Sequence, residues 1–208
     1  MRIFLIIGVV LAFLLGVFLG INSTNKPASI PIAEATGPWH LLPAQSHLGF
    51  ISVKKGTMIE THHFGELSGM VGVDGTANIT VTLDSVQTNI DIRDERMRTY
   101  LFETDKFPLA KINTKVDMAQ FTAMPIDERI NISQTITVNM HGKTTDFNAS
   151  LIVTRIGVNK VAVDSQSPVV LDVEDFAMQG GLNKLRELAS LSSISPEVPV
   201  SFSLVFER

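Results

Sequence analysis

The alternation of apolar and polar side chains between residues 130 and 140 is the feature that most limits how this chain can fold. Five apolar residues, from Ile130 to Met140, are separated by asparagine, serine, threonine and glutamine. Successive side chains of a β-strand point to opposite faces, so this run predicts a strand with one apolar face. After Gly142 and Lys143 the alternation resumes over residues 147–153, which predicts a hairpin.

Four further segments show the same period and predict strands. They are residues 67–73, 112–118, 169–173 and 198–206. Another apolar face begins at Ile79, but Val86 and Ile90 continue it with the opposite parity. Since a slip of one residue would turn the core face outward, we expect a bulge or bend near residues 84–85, or the end of the strand there.

Two segments have the pattern of short helices instead. Asp91 can cap a helix that includes Met97 and Leu101, with acidic residues in its first turn. Residues 181–191 carry a stripe of leucines beside charged residues, which predicts a second helix.

The pattern therefore predicts a mainly β fold of seven or eight strands and two short helices. A strand with a single apolar face must bury that face, so the sheet must close on itself or fold over. Closure also removes the edge strands through which sheets aggregate. The pattern favours an antiparallel barrel over a sandwich and leaves both open.

The N-terminal segment predicts export. Residues 3–21 are nineteen positions without a charged side chain, and at about 1.5 Å per residue they reach roughly 28 Å, close to the hydrocarbon thickness of a bilayer. We interpret residues 1–21 as a signal anchor or a cleaved signal peptide, residues 22–38 as a flexible linker with three prolines, and residues 39–208 as one domain. Arg2 before the segment favours translocation of the rest.

Charge and side-chain types argue against several function classes. The net charge is −4 and no basic block occurs, so nucleic-acid binding is not expected. The chain has no cysteine. His62 and His63 are adjacent, as are Ser46 and His47, and adjacent residues of a strand point to opposite faces. A hydrolase or metalloenzyme is thus the weaker alternative, and we expect no enzymatic activity.

Phenylalanine and methionine are used heavily. Phe supplies twelve of the fourteen aromatic residues, and there are eight methionines. Flexible thioethers and flat rings suit an adaptable apolar cavity. They could equally fill an eight-stranded barrel completely, because a barrel of that size either is filled by side chains or holds one small ligand.

Four segments, in order along the chain, together resemble one protein family. They are residues 46–50 (SHLGF), residues 65–69 (GELSG) followed by Val73 and Asp74, residues 93–98 (RDERMR) with Phe102, Phe107 and Pro108, and residues 137–144 (TVNMHGKT). This combination resembles the YceI-like family over roughly residues 39–208.

The resemblance implies an eight-stranded antiparallel lipocalin-like barrel, here preceded by the N-terminal hydrophobic helix. It implies binding, sequestration or transport of an amphiphilic isoprenoid lipid of quinone or polyprenyl type, with no cofactor and no shared enzymatic activity. The expected location is periplasmic, tethered to the inner membrane or secreted after signal cleavage, and a homodimer is left open. The alternative is a ligand-free stress-response or interaction module.

The resemblance carries no strict ligand motif, so the site is assigned from the pattern. Eight residues are predicted to form an apolar wall or lid: Phe50, Phe64, Met97, Leu101, Phe102, Phe107, Phe176 and Met178. Gln134, the one polar residue on its strand face, is predicted to meet a polar atom of the ligand, or else to face water at the rim. Many family members have an arginine near the last strands where this chain has Val173 to Ala177, so we expect a neutral head such as a quinone. The helix at residues 181–191 would be a lid or a brace.

Overall fold

The computed structural model describes residues 37–122 and 124–208. The predicted N-terminal hydrophobic helix and nearly all of the predicted linker lie outside the described residues. Within those that are described, no helix is both long and apolar enough to cross a membrane.

The domain is a closed antiparallel barrel. Its twelve strands are β1 (Trp39–Leu41), β2 (His47–Lys54), β3 (Met58–Phe64), β4 (Leu67–Val71), β5 (Thr76–Thr82), β6 (Val86–Gln87), β7 (Leu109–Lys115), β8 (Arg129–Met140), β9 (Lys143–Gly157), β10 (Lys160–Ser165), β11 (Val169–Asp172) and β12 (Glu197–Glu207). The pairing runs β1-β4-β5-β7-β8-β9-β10-β12, and β12 then pairs back with β1. β2 also pairs with β12, and β3 pairs with β2.

Eleven of the twelve strands make up the eight long strands of the barrel, here called staves. β1 and β2 are one bent stave interrupted by a 3-10 turn at Pro43–Gln45, and β3 and β4 are a second, interrupted at Gly65 and Glu66. β5 and β6 form a third across a 3-10 turn at Leu83–Ser85. β7, β8, β9, β10 and β12 complete the eight, and the short β11 pairs with β12. The predicted eight-stranded barrel is confirmed, and a sandwich is excluded.

The hairpin of β8 and β9 is the longest paired element. The register runs without interruption from Arg129 opposite Thr154 to Met140 opposite Lys143. The turn residues, His141 and Gly142, both have positive φ angles, of 52° and 74°. Positive φ at both central positions is the geometry of two-residue hairpin turns. The predicted hairpin is confirmed, with its turn one residue earlier than expected.

The predicted irregularity near residues 84–85 is the 3-10 turn Leu83–Ser85. The Ser85 hydroxyl donates to the Thr82 carbonyl at 2.6 Å and accepts from the Glu66 amide at 2.9 Å. Leu83 and Val86, which have opposite parity, are each only 1% exposed. The turn therefore absorbs the slip and keeps both side chains in the core.

The helices differ in detail from the prediction. Helix α1 (Asp91–Arg96) continues as a π-helical segment, Met97–Phe102. Asp91 is its first helical residue and does not cap it, because Ile90 occupies the cap position. Helix α2 (Ala119–Thr122) was not expected. Helix α3 (Gln179–Leu188) replaces the predicted helix at residues 181–191. It begins two residues earlier than the leucine stripe suggested, and the positive φ of Ser190 marks the chain's departure from it.

The two ends of the barrel are built differently. At the end where β8 finishes, the π-helical segment and α3 pack on each other beside the β8–β9 turn; we call this the helical end. At the opposite end, β8 begins, and the connection of residues 116–128 with α2 crosses from β7; we call this the loop end.

Candidate ligand-binding site

An apolar cavity of about 230 Å³ runs along the interior of the barrel. Its wall is entirely apolar and comes from the inward-facing rows of the staves. Representative lining residues are Ile79, Val81, Ile112, Ile132, Ile136, Val138, Leu151, Val153, Val161, Leu204 and Phe206. Because side chains alternate along a strand, every second residue of the predicted apolar faces points into this space.

The helical end is closed by packed aromatic and aliphatic side chains. Phe64 lines the cavity, and the Phe102 ring lies behind it with 5.8 Å between centroids. Phe176 is completely buried and stacks on Phe147 at 6.2 Å. Of these rings only Phe64 lines the cavity, and the other three pack beyond it in the core.

Polar groups at the helical end are paired with one another. His141 lies 3.1 Å through Nδ1 from the Phe176 carbonyl oxygen and 3.0 Å through Nε2 from the Glu103 carboxylate. The ammonium of Lys106, and then His141, hold the pKa of Glu103 below its ordinary value. The β8–β9 turn is thus tied to Glu103, which follows the π-helical segment, and to Phe176, the last residue of a 3-10 turn (Val173–Phe176) that precedes α3.

At the loop end, β7 and β8 separate. Their backbone register covers three residue pairs, from Lys111 opposite Asn139 to Asn113 opposite Thr137. Beyond them two side-chain hydrogen bonds bridge the gap: Thr114 Oγ1 donates to the Thr135 carbonyl at 2.7 Å, and Gln134 Nε2 donates to the Lys115 carbonyl at 3.0 Å. We call this gap the seam.

Four partly exposed side chains line the cavity at the loop end, beside the seam: Val116, Met118, Phe121 and Ile132. They contrast with the buried rings of Phe102 and Phe176 at the helical end.

The structure distributes the nine predicted site residues unevenly. Only Phe64 lines the cavity. Six are buried core residues of the helical end or the strands beside it: Phe50, Met97, Leu101, Phe102, Phe176 and Met178. Phe107 packs on the His141 ring at 4.4 Å near the same end. Gln134 stands at the seam, with its amide bound to a backbone carbonyl. Their contact with a ligand stays a prediction.

Apart from Phe64, the residues of the cavity wall were not among the predicted site residues. It consists mainly of aliphatic residues from the rows that the alternation had already identified as core faces. The parity of those rows was the signal in the sequence that could have identified the cavity wall. The predicted site consisted mainly of phenylalanines and methionines, and most of these side chains pack in the core at the helical end.

A polar cluster beside the barrel interior bears on the hydrolase alternative. His62 is 6% exposed and its Nε2 lies 2.9 Å from the Ser52 hydroxyl, while Nδ1 has no hydrogen-bond partner among the described residues. A catalytic histidine needs an acid on that second nitrogen. The Glu60 carboxylate lies 3.8 Å from Nε2, on the other side of the ring from Nδ1, and forms ion pairs with Lys54 and Arg93. This arrangement lacks the orienting partner of a triad.

Ser46 and the remaining potential metal ligands can be placed in the same way. The Ser46 hydroxyl donates to the Leu42 carbonyl and accepts from the Val205 amide, so it joins β1 to β12. Across residues 37–122 and 124–208 no group of three potential metal ligands comes together.

Similarity to known proteins agrees with the fold. A polyisoprenoid-binding domain from Saccharophagus degradans implicated in plant cell wall breakdown is 37% identical, with a TM-score of 0.80; the match covers 81% of this chain and 97% of that one. BcnA of Burkholderia cenocepacia is 17% identical, with a TM-score of 0.61, over 79% and 98% of the two chains. A YceI protein of Campylobacter jejuni is 14% identical, with a TM-score of 0.52, over 71% and 84%.

At 17% and 14% identity, the similarity to the last two proteins shows only that the fold is shared. No curated protein matches the chain. The family model for the YceI-like domain matches residues 39–206, which are nearly all of the described barrel. With its four sequence segments, its closed eight-stave barrel and this match, the chain belongs to the YceI-like domain family.

Proposed function

We propose that this protein binds an amphiphilic isoprenoid lipid, of quinone or polyprenyl type, with the tail inside the barrel and without chemical conversion. The observation that carries the proposal is the cavity that runs along the barrel with an entirely apolar wall. The sequence identity of 37% with a polyisoprenoid-binding domain supports the same ligand class.

The energetics favour a tail over a small polar molecule. Burying one CH₂ group contributes about 0.8 kcal/mol, so each five-carbon isoprene unit adds about 4 kcal/mol before the costs of ordering are subtracted. A wall without polar groups discriminates weakly among tails that differ by one unit. We therefore expect binding by chain class rather than by exact length.

The cavity volume bears on how much tail the barrel holds. At about 230 Å³ it lies just below the ~300–1,000 Å³ typical of small-molecule sites. Met118 and Met140 line it, and methionine side chains readily change rotamer. We propose that a short tail fits as it stands and that a longer one displaces these thioethers or leaves through the seam.

We further propose that the domain works at the periplasmic face of a membrane, with residues 1–21 as an anchor or a cleaved signal. Trp39, where the described barrel begins, pairs with Val71 at the loop end. If residues 22–38 form the flexible linker predicted from the sequence, their seventeen residues have a root-mean-square span of roughly 23 Å. An uncleaved anchor would thus keep the loop end, where we propose that the ligand enters beside the seam, close to the bilayer.

The small cavity also supports a second candidate, a ligand-free interaction module. Solvent extraction of the purified full-length protein, followed by mass spectrometry, separates the two. The proposal predicts an isoprenoid lipid in near-stoichiometric amount. A clean extract, together with no uptake of an added isoprenoid alcohol, would leave the ligand-free module.

A further inference from the structure

Exposed aliphatic side chains lie on the turns and the connection at the loop end. Val73, in the β4–β5 turn, is 65% exposed, and Ile126, in the connection, is 39% exposed. Ile156 and Val158, at the β9–β10 turn, are 42% and 43% exposed. Single exposed aliphatic residues are ordinary, whereas several on one continuous surface indicate a contact with an apolar partner. Whether these residues share a surface depends on how their segments are joined.

Hydrogen bonds join the three segments. The Val116 amide donates to the Gly75 carbonyl at 2.9 Å, which ties the connection to the β4–β5 turn. The Asp127 amide donates to the Arg155 carbonyl at 2.8 Å, and Arg155 Nη2 donates to the Val158 carbonyl at 2.9 Å. The connection therefore lies against the β9–β10 turn on its other side.

The first and last described strands complete the circle. The Arg208 amide donates to the Asn159 carbonyl in the β9–β10 turn at 3.2 Å. The Arg208 guanidinium lies over the Trp39 ring, with 4.3 Å from Cζ to the ring centroid, and Trp39 pairs with Val71 just before the β4–β5 turn. The turns and the connection thus surround the end of the barrel, and together we call them the loop rim: residues 72–75, 116–128 and 156–159.

The charges near the loop rim are balanced. Lys115 binds Asp74 at 2.8 Å, and Lys160 binds Glu207 at 3.4 Å. Residues 127–129 are Asp-Glu-Arg and are all exposed, which places two acids beside an arginine. Anionic lipid headgroups attract clusters of basic residues. Because each of these cations has an acid beside it, contact of the loop rim with a partner should depend on its aliphatic side chains rather than on charge.

We propose that the loop rim docks on the surface of a phospholipid bilayer, with Val73, Ile126 and Val158 inserted among the lipids. The inference rests on the proposed function, because a barrel that takes an isoprenoid from a membrane must bring its entry to the lipid surface. A few inserted aliphatic side chains give weak and reversible membrane binding, since its strength scales with the apolar area buried.

The N-terminal sequence is the reason for choosing a bilayer as the partner. Residues 1–36 come immediately before the described part of the chain, which enters the barrel at the loop end through Trp39. They include the uncharged run of residues 3–21, which predicts a membrane segment. Attachment through this segment would raise the effective concentration of the loop rim at the bilayer.

The helical end supplies a matched control. Ile59, next to the β2–β3 turn, is 67% exposed, almost the same as Val73. The β2–β3 turn lies at the helical end, because its Lys55 amide donates to the Ser193 carbonyl, after α3, at 3.1 Å. The N-terminal segment does not enter at this end, so we expect Ile59 to face water when the loop rim is docked.

The test uses single-cysteine variants of the full-length protein, because the native chain has no cysteine. Val73→Cys, Val158→Cys and the control Ile59→Cys each carry the fluorophore NBD. The labelled protein is mixed with phosphatidylcholine vesicles that contain a phospholipid spin-labelled in its upper acyl chain. Labels at Val73 and Val158 should lose roughly half of their emission or more, because they reach the acyl boundary, whereas the label at Ile59 should keep its emission.

The lipid headgroup provides a second readout. Adding phosphatidylglycerol to the vesicles, or raising the salt concentration, should leave the quenching unchanged, since the charges near the loop rim are balanced. Quenching that requires phosphatidylglycerol and disappears with salt would mean electrostatic adsorption and would overturn docking through aliphatic side chains.

The functional test is the uptake of a fluorescent isoprenoid from vesicles. The double variant Val73→Asp, Val158→Asp should slow uptake by about fivefold or more, because two charges would have to enter the lipid. Ile59→Asp should leave uptake unchanged. Neither Val73 nor Val158 lines the cavity, so the double variant should bind farnesol, a short isoprenoid alcohol, as tightly in solution as the native protein does.

The outcomes separate the two proposals. If farnesol does not bind to the native protein in solution, the proposed function fails. If farnesol binds but the labels at Val73 and Val158 are not quenched, or the label at Ile59 is quenched equally, the docking surface is overturned while the tail site stands. Unchanged uptake by the double variant would likewise overturn it.

Discussion

The helical end and the loop end close the same barrel by opposite means. At the helical end, aromatic rings fill the space, and the polar atoms of His141 are paired with Glu103 and with a backbone carbonyl. At the loop end, the β7–β8 ladder stops after three pairs, and the buried Arg155 is bonded to the backbone carbonyls of Met124, Gly157 and Val158. We propose from this difference that the helical end mainly provides stability and that the loop end admits the ligand.

The largest expected effect is the loss of packing at the helical end. Phe176→Ala removes a ring that is 0% exposed, and we expect the free energy of unfolding to fall by about 3–5 kcal/mol. Phe121→Ala at the loop end removes a partly exposed ring and should lower it by about 1 kcal/mol or less. Urea denaturation measures both. Equal losses of unfolding free energy in the two variants would contradict the proposed difference between the two ends.

The loop end should depend on one side chain. Arg155→Met leaves three carbonyl groups without their donor, and we expect a loss of about 2–3 kcal/mol. Faster hydrogen exchange in residues 116–128 should accompany it, because Arg155 binds the Met124 carbonyl. Exposed Arg129→Met is the matched control and should change stability by about 0.5 kcal/mol or less. If exchange stays unchanged, Arg155 does not hold this connection.

Gln134 should matter mainly for the rate of exchange. Gln134→Leu removes the amide that bridges the seam to Lys115, with a stability loss of about 1 kcal/mol and a faster release of ligand. Stopped-flow displacement of a fluorescent isoprenoid measures the release. Gln166→Leu, at an exposed position after β10, should leave it unchanged. Equal release rates in the two variants would mean that the seam is not the route.

The smallest effect is the acid sensitivity of the helical end. The folded-state pKa of Glu103 is lowered, first by Lys106 and then by His141. Its contribution to stability is therefore present above the ordinary carboxyl pKa and is lost as pH falls through the lower folded value. Thermal unfolding between pH 7 and pH 3 should show a shallower acid decline in Glu103→Gln than in the native protein. If the two curves run parallel, Glu103 does not contribute to the acid sensitivity of the protein.

The strands were predictable because each exposes one face to the core. The run from Ile130 to Met140 and the slip near Leu83 both correspond to observed features, and closure follows from the many single-faced strands. The seam was not predictable, since the residues after Asn113 keep the alternation although the ladder has ended. α2 is only four residues long, which is too short to leave a periodic signal.

The candidate site was harder to predict than the fold. Large rings such as Phe102 and Phe176 suit a ligand pocket and a core plug equally well, and composition cannot separate the two roles. Arg155 continues the inward row of Leu151 and Val153, but without the structure the same charge would mark the end of a strand. The filling of one end depends on contacts between residues that are far apart in the sequence, such as His141 and Phe176.

The central claim is that the cavity holds an isoprenoid tail, and Trp39 reports on it directly. Trp39 is the single tryptophan of the chain and lines the cavity. Farnesol added to delipidated protein should change its fluorescence saturably at one ligand per chain. Ile136→Phe, which fills the cavity from its wall, should weaken binding more than tenfold, whereas Val170→Phe, at an exposed position, should not. No saturable change, or equal binding by the native protein and Ile136→Phe, would contradict the claim.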